Sequence, residues 1–209
     1  MDPVKPPNAR QVKAAQTRRR MLAAAYDQFC EHGYRATTMD AIAEQAGVAV
    51  QTLYFTFHTK DELLQEVHEW TVLGDDPTPP PLQQWYRAAV AEPDARRSLG
   101  LVVEGVLAID ARVAPMLPVF HAVAADPAGA VHRRAEELRR DGMRDVVDML
   151  VTKAPLRRGL SRARAVDLLV VLTGPEIYRA FVLEAGWSTK QLVTWARSSL
   201  ARDLFGDPG

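Results

Sequence analysis

Catalysis and metal binding draw on histidines, cysteines and carboxylates at set spacings, and this chain does not offer those spacings. Its five histidines (His32, His58, His68, His121 and His132) never fall three or four residues apart, so no helix presents a paired imidazole site. Cys30 is the sole cysteine. That leaves no thiolate cluster for zinc and no intrachain disulfide, and it fits a reducing cytoplasm. No phosphate loop, dinucleotide-type glycine fingerprint or nucleophile-elbow serine is present. Glu104 interrupts an apolar helical stretch and is either a pocket carboxylate or an ion-paired rim residue. Neither an enzyme nor a cofactor is expected. The side chains with usable chemistry are of a different kind. Gln51 can bond N6 and N7 of adenine, and its neighbours Val50 and Thr52 carry methyl groups that suit a thymine methyl.

Those residues need a rigid element to present them, and the stretch from Thr38 to Lys60 supplies one. Thr38 is a hydroxyl N-cap placed to accept from the backbone N–H of Ala41. Ile42, Ala43 and Ala46 then share a helical face. Gly47 stops this helix, because glycine takes a left-handed backbone without strain. After the apolar turn residue Val48, a second short helix is expected from Val50 to Phe57, with Val50, Leu53, Tyr54 and Phe57 at inward spacings. Two helices about a glycine turn form the helix-turn-helix plan, whose second helix enters the DNA major groove. Base reading would then fall to Val50, Gln51 and Thr52, with Met39 a further candidate.

Residues 34–64 closely resemble the DNA-binding domain of TetR/AcrR-type transcriptional regulators, through Gly33, Tyr34, Thr38, Ile42, Ala43, Ala46, Gly47, Val48, Leu53, Tyr54, Phe57, Lys60 and Leu63. The resemblance implies phosphate contacts from Thr38, Tyr54, Thr56, His58 and Lys60. The recognition helix holds no Arg or Lys, a departure from many relatives. Apolar and water-mediated base contacts are therefore expected, with a modest salt dependence set by Lys60 and the basic N-terminus.

At 209 residues, 47% hydrophobic and 25% charged, the composition is that of a soluble globular protein. Its apolar runs, such as Leu168 to Leu172, are too short to span a bilayer, and Met1 to Arg20 lacks the apolar core of a secretory signal. Cytoplasmic location and no membrane partner follow as expectations. Formal net charge is zero, but eight basic side chains face five acidic ones in residues 1–60, against 18 and 21 in the rest. Residues 1–16 carry Pro3, Pro6 and Pro7 and read as a flexible basic arm. Residues 17–60 form the helix-turn-helix domain, opened by a helix from Thr17 to His32 in which Cys30 is a small core residue. Residues 61–209 form the body.

The body reads as helices throughout, so the fold is all-α. A helix from Lys60 to Leu73 precedes the Gly74–Pro81 link. Asp126 is expected to cap a long helix with Pro127 at its first position, and Ser161 to cap another that Pro175 kinks before Ala185. Gly186 should end that helix with Trp187 folded back on Phe181 or Val182, and Ser188–Gln191 should form a capping box for the last. Ala165 to Leu172 is apolar except at Asp167, which asks for cover on nearly all sides. The resemblance implies that the last two helices build a homodimer, with Leu168, Leu169, Leu172, Leu192, Trp195 and Leu200 as interface candidates. It also implies that the C-terminal helical bundle binds a small-molecule effector. Glu104, Leu107, Phe120, His121, Met143, Val147 and Tyr178 are the pocket candidates, and Trp85 is a further one. The expected function is a regulator, a repressor released from a palindromic double-stranded DNA operator by a small, largely apolar effector. A constitutive DNA-architectural protein without effector is the alternative, followed by a helical-bundle enzyme.

Overall fold

Glycine turns and side-chain caps divide the chain into eleven α-helices over the residues that the computed structural model describes, 8–74, 78–126 and 129–206. They are α1 (Ala9–Ala36), α2 (Met39–Ala46), α3 (Val50–Phe57), α4 (Lys60–Leu73), α5 (Gln84–Ala91), α6 (Ala95–Val113), α7 (Leu117–Ala122), α8 (Ala130–Val151), α9 (Arg162–Leu172), α10 (Pro175–Tyr178) and α11 (Thr189–Phe205). Short 3-10 turns precede α5 and α7, and a π-helical segment, Arg179–Glu184, follows α10. No strand occurs among the described residues. The all-α expectation holds, as an N-terminal helix-turn-helix followed by a C-terminal helical domain.

The chain forms two compact units, one of Met1–Trp70 with Pro118–Ala130, the other of Thr71–Leu117 with Val131–Gly209. The division falls within α4, between Trp70 and Thr71, where the sequence reading sets it between residues 60 and 61; part of the Gly74–Pro81 link (75–77) lies outside the described residues. In the first unit, Leu22 and Phe29 of α1, Ile42 of α2, Leu53 and Phe57 of α3 and Leu63, Leu64 and Val67 of α4 enclose one another. A fully buried side chain of this size contributes about 1.5–3 kcal/mol. Phe120 joins this unit, its ring 4.9 Å from that of His68.

Helix α1 begins well before Thr17. Asn8 and Gln11 form a capping box, each side chain meeting the other's backbone N–H at 2.9 Å. The segment 9–16 is therefore helical, whereas 1–7 lie outside the described residues. Cys30 also departs from expectation. It lies at the surface of α1, with its thiol pushed up to about 11, chiefly by local desolvation.

In the second unit, α6 is lined by Leu99, Val102, Val103 and Leu107, and its core is shared with Val146 and Leu150 of α8, Leu169 of α9 and Leu192 and Leu200 of α11. Gly105 of α6 is the seat of Trp85, since a Cβ there would collide with the indole. Asp94 caps α6, Ser161 caps α9 and the Ser188–Gln191 box opens α11. Pro127 lies outside the described residues, and α8 starts at Ala130. Instead of one kinked helix from Arg162 to Ala185, α9 stops at Leu172 and Pro175 opens a new helix at its first position. Gly186 (φ +75) ends the segment, and Trp187 returns its N–H to the Phe181 carbonyl at 2.8 Å, the two rings 4.6 Å apart. Among the described residues, no helix is long and apolar enough to cross a membrane.

Candidate nucleic-acid interface

The turn between α2 and α3 is built as its residues require. Thr38 accepts from the Ala41 N–H at 3.2 Å, and Gly47 adopts φ +66, so that its N–H and that of Val48 return to the last turn of α2. Helix α3 then buries Leu53 and Phe57 and turns its other side outward. Gln51, Thr52, Tyr54 and His58 are exposed, while Val50 and Thr56 are half-buried. Met39 is a correction. It sits on the inner face of α2 with 5% exposure and cannot reach a base edge.

Two candidates carry structural duties as well. The Lys60 ammonium donates to the carbonyls of Tyr34 (2.8 Å) and Thr37 (2.9 Å) and lies 4.3 Å from the centre of the Tyr34 ring. Desolvation lowers its pKa. Two of its three donors are thus engaged, and one remains for a phosphate. The Thr56 hydroxyl donates to the Thr52 carbonyl at 2.8 Å, which leaves its oxygen free to accept but not to donate. His58 closes α3 at φ +52, a left-handed conformation unusual for a residue other than glycine. Such strain collects at functional positions.

Phe55 is the residue that sequence reasoning passed over. It is 85% exposed on the outward face of α3, one turn after Gln51. The signal was available, since Leu53 and Phe57 both point inward and force the aromatic between them outward.

A family model described as bacterial regulatory proteins, tetR family, matches residues 21–67, the span that holds α2, α3 and the glycine turn. That match places a tetR-family segment at the head of the chain. The HTH-type transcriptional regulator YhgD of Bacillus subtilis (strain 168) is 45% identical over 47 residues, which are 22% of this chain and 25% of that relative. The chain therefore aligns with only a quarter of that relative's length. The solved structure of TylP, a TetR regulator from Streptomyces fradiae, is 25% identical, with a TM-score of 0.65 over 92% of this chain and 88% of its own. NalD of Pseudomonas aeruginosa, the secondary repressor of the MexAB-OprM multidrug efflux pump, is 16% identical with a TM-score of 0.68, covering 93% of this chain and all of NalD. These likenesses extend the fold of TetR regulators over nearly the whole chain.

The pocket and interface candidates need revision. Leu107, Met143, Val147 and Tyr178 are packed in the core of the second unit, Phe120 belongs to the first, His121 is exposed, and Glu104 pairs with Arg197 at 2.8 Å on the surface. Hydrophobicity at helical spacing marks burial and does not separate a cavity wall from packed core. The second unit does carry a groove of about 560 Å³, lined by Leu73, Gln83, Gln84, Trp85, Ala88 and Arg112. Of the interface candidates, Leu169, Leu192 and Leu200 are fully enclosed within one chain and cannot meet a partner. Leu168, Leu172 and Trp195 remain half-exposed. Beside them in the same unit are exposed Val171 and Leu183 and the ring cluster Phe181–Trp187–Trp195.

Proposed function

We propose that this TetR-family regulator is a cytoplasmic homodimeric repressor that binds a palindromic DNA operator and leaves it when a small, largely apolar effector binds. The observation that carries the DNA-binding part is the outward face of α3. It joins Gln51, a bidentate hydrogen-bonding group, to an almost fully exposed Phe55, with Tyr54, His58 and Lys60 around them. Gln51 reads adenine, Phe55 and Thr52 meet thymine methyl groups, and the surrounding polar groups fix the head on phosphates.

Dimerisation is supported by the half-exposed Leu168, Leu172 and Trp195 with exposed Val171 and Leu183, apolar side chains that a second copy would cover. Two-fold symmetry sets two recognition helices about 34–36 Å apart, one helical turn of DNA. The groove beside Trp85 and Arg112 is the effector site on this reading, with an indole for apolar contact and a wall held by Arg112, whose guanidinium donates to the carbonyls of Thr71, Val72 and Ala108. The effector works only by preferring a body conformation in which that spacing is lost. NalD, which shares the fold, is a repressor of an efflux pump, in keeping with such a role.

Selection of bound sites from random duplex DNA tests the reading. An inverted repeat with half-sites one turn apart, rich in A and T where α3 docks, is the expected result. Binding without sequence preference would instead assign a constitutive architectural role. Light scattering on the free protein should return a dimer, and Trp195→Glu should shift it to monomer.

A further inference from the structure

We propose that the first two turns of α1 form a second contact to the DNA backbone, in which Arg10 and Lys13 neutralise phosphates beside the groove that α3 enters. The inference rests on the DNA-binding reading above and adds a surface to it. These turns lie before residue 21, where the tetR-family match begins.

Three observations lead there. The Asn8–Gln11 capping box makes the segment helical, so its side chains hold fixed directions. Residues 10, 13, 14, 17, 18 and 21 then share one face of α1, and with Thr52 and Thr56 of the recognition helix they line a groove of about 520 Å³. Arg10 and Lys13 are thus set beside the face of α3 that carries two threonines.

The cations on that face have different duties. Arg18 is committed to the fold, paired with Glu66 at 2.6 Å and lying 4.7 Å from the centre of the Phe57 ring. Arg10 and Lys13 are exposed and have no ion pair or hydrogen bond to their side chains among the described residues. Two cations held by helix, beside a recognition helix that has none, supply the positive charge a phosphodiester backbone requires. Duplex DNA is the occupant that fits, because the same groove wall includes Thr52 and Thr56 of the DNA-reading helix.

The test uses the full chain and a labelled duplex taken from the selection described above, with affinity measured by anisotropy across salt concentrations. Arg10→Gln/Lys13→Gln should bind about tenfold or more weakly at moderate salt, and its slope of log K against log salt should fall by about 1.8, near 0.9 for each lost phosphate contact. Preference among operator variants should stay as in the wild type. Asn8→Ala/Gln11→Ala, which keeps both charges but loosens the helix, should cost a smaller, few-fold loss. An unchanged slope and affinity in the double glutamine variant, with its helical circular dichroism intact, would overturn the proposal while leaving the regulatory reading standing. Wild-type protein that binds no duplex would overturn both. Equal affinity for duplex RNA would overturn the assignment to DNA.

Discussion

Lys60 donates to the carbonyl of Tyr34 at 2.8 Å while its ammonium lies 4.3 Å from the centre of the same residue's ring. One cation therefore closes the end of α1, near Gly33, and borders the DNA-facing surface. Lys60→Ala should lower stability by about 1.5–3 kcal/mol, the scale of a charged hydrogen bond. It should also weaken binding to every DNA sequence alike. Thermal melts read the first effect and a gel-shift series on scrambled operators the second. A variant that loses DNA affinity with an unchanged melt would assign Lys60 to phosphate alone.

Gln51 and Phe55 lie one turn apart and should separate from Lys60 in the same assay. Gln51→Ala should relax the preference at one base pair by about 1–3 kcal/mol. Phe55→Ala should cost about tenfold in operator affinity and change stability by less than about 0.5 kcal/mol, because an exposed ring contributes little to the core. Competition binding against single-base operator variants checks both.

Trp85 lies so close to the α6 backbone at Gly105 that no side chain fits between them. Gly105→Ala should destabilise the protein by about 1–3 kcal/mol through overpacking. Trp85→Leu in the same chain should recover most of that loss. Denaturant melts on the single and double variants would show the coupling, and additive losses would refute it.

Asp110 on α6 is 2% exposed, and its Oδ2 has no hydrogen-bond partner among the described residues. Desolvation raises its carboxyl well above the usual range; the Arg139 guanidinium opposes this, while Glu136 and Glu176 add to it. The folded state then holds a proton that the unfolded state has released, so stability falls as pH rises from about 4 through the raised folded value. Asp110→Asn should match the wild type near pH 4 and melt progressively higher than it toward neutrality. Melting curves across that range test the sign.

The head was largely legible in the sequence because its constraints are local. A hydroxyl cap at Thr38, a left-handed glycine at Gly47 and apolar residues three and four apart each act within a turn or two, and each reappears in the structure. Asn8 and Gln11 carried an equally local signal, hidden by the nearby prolines. The body was legible as helices but not as a site. Leu107 and Val147 have the same hydrophobicity whether they line a cavity or fill one, and only the packing of α6 against its neighbours decides. Leu169 and Leu192 failed as interface residues for the same reason. The long-range contact that matters most at the groove, Trp85 on Gly105, depends on a missing side chain and leaves no periodic trace.

The π-helical segment Arg179–Glu184 has a further consequence. Ala185 donates five residues back, to the carbonyl of Ala180 at 3.0 Å, so this stretch holds surplus chain relative to ordinary α winding. Deleting one residue there would let the coil tighten to ordinary α winding, so the loss is absorbed within the segment and the residues beyond it keep their facing. The fold thus tolerates a one-residue change of length at this point, where the same change inside α6 or α11 would swing a buried face outward by about 100°.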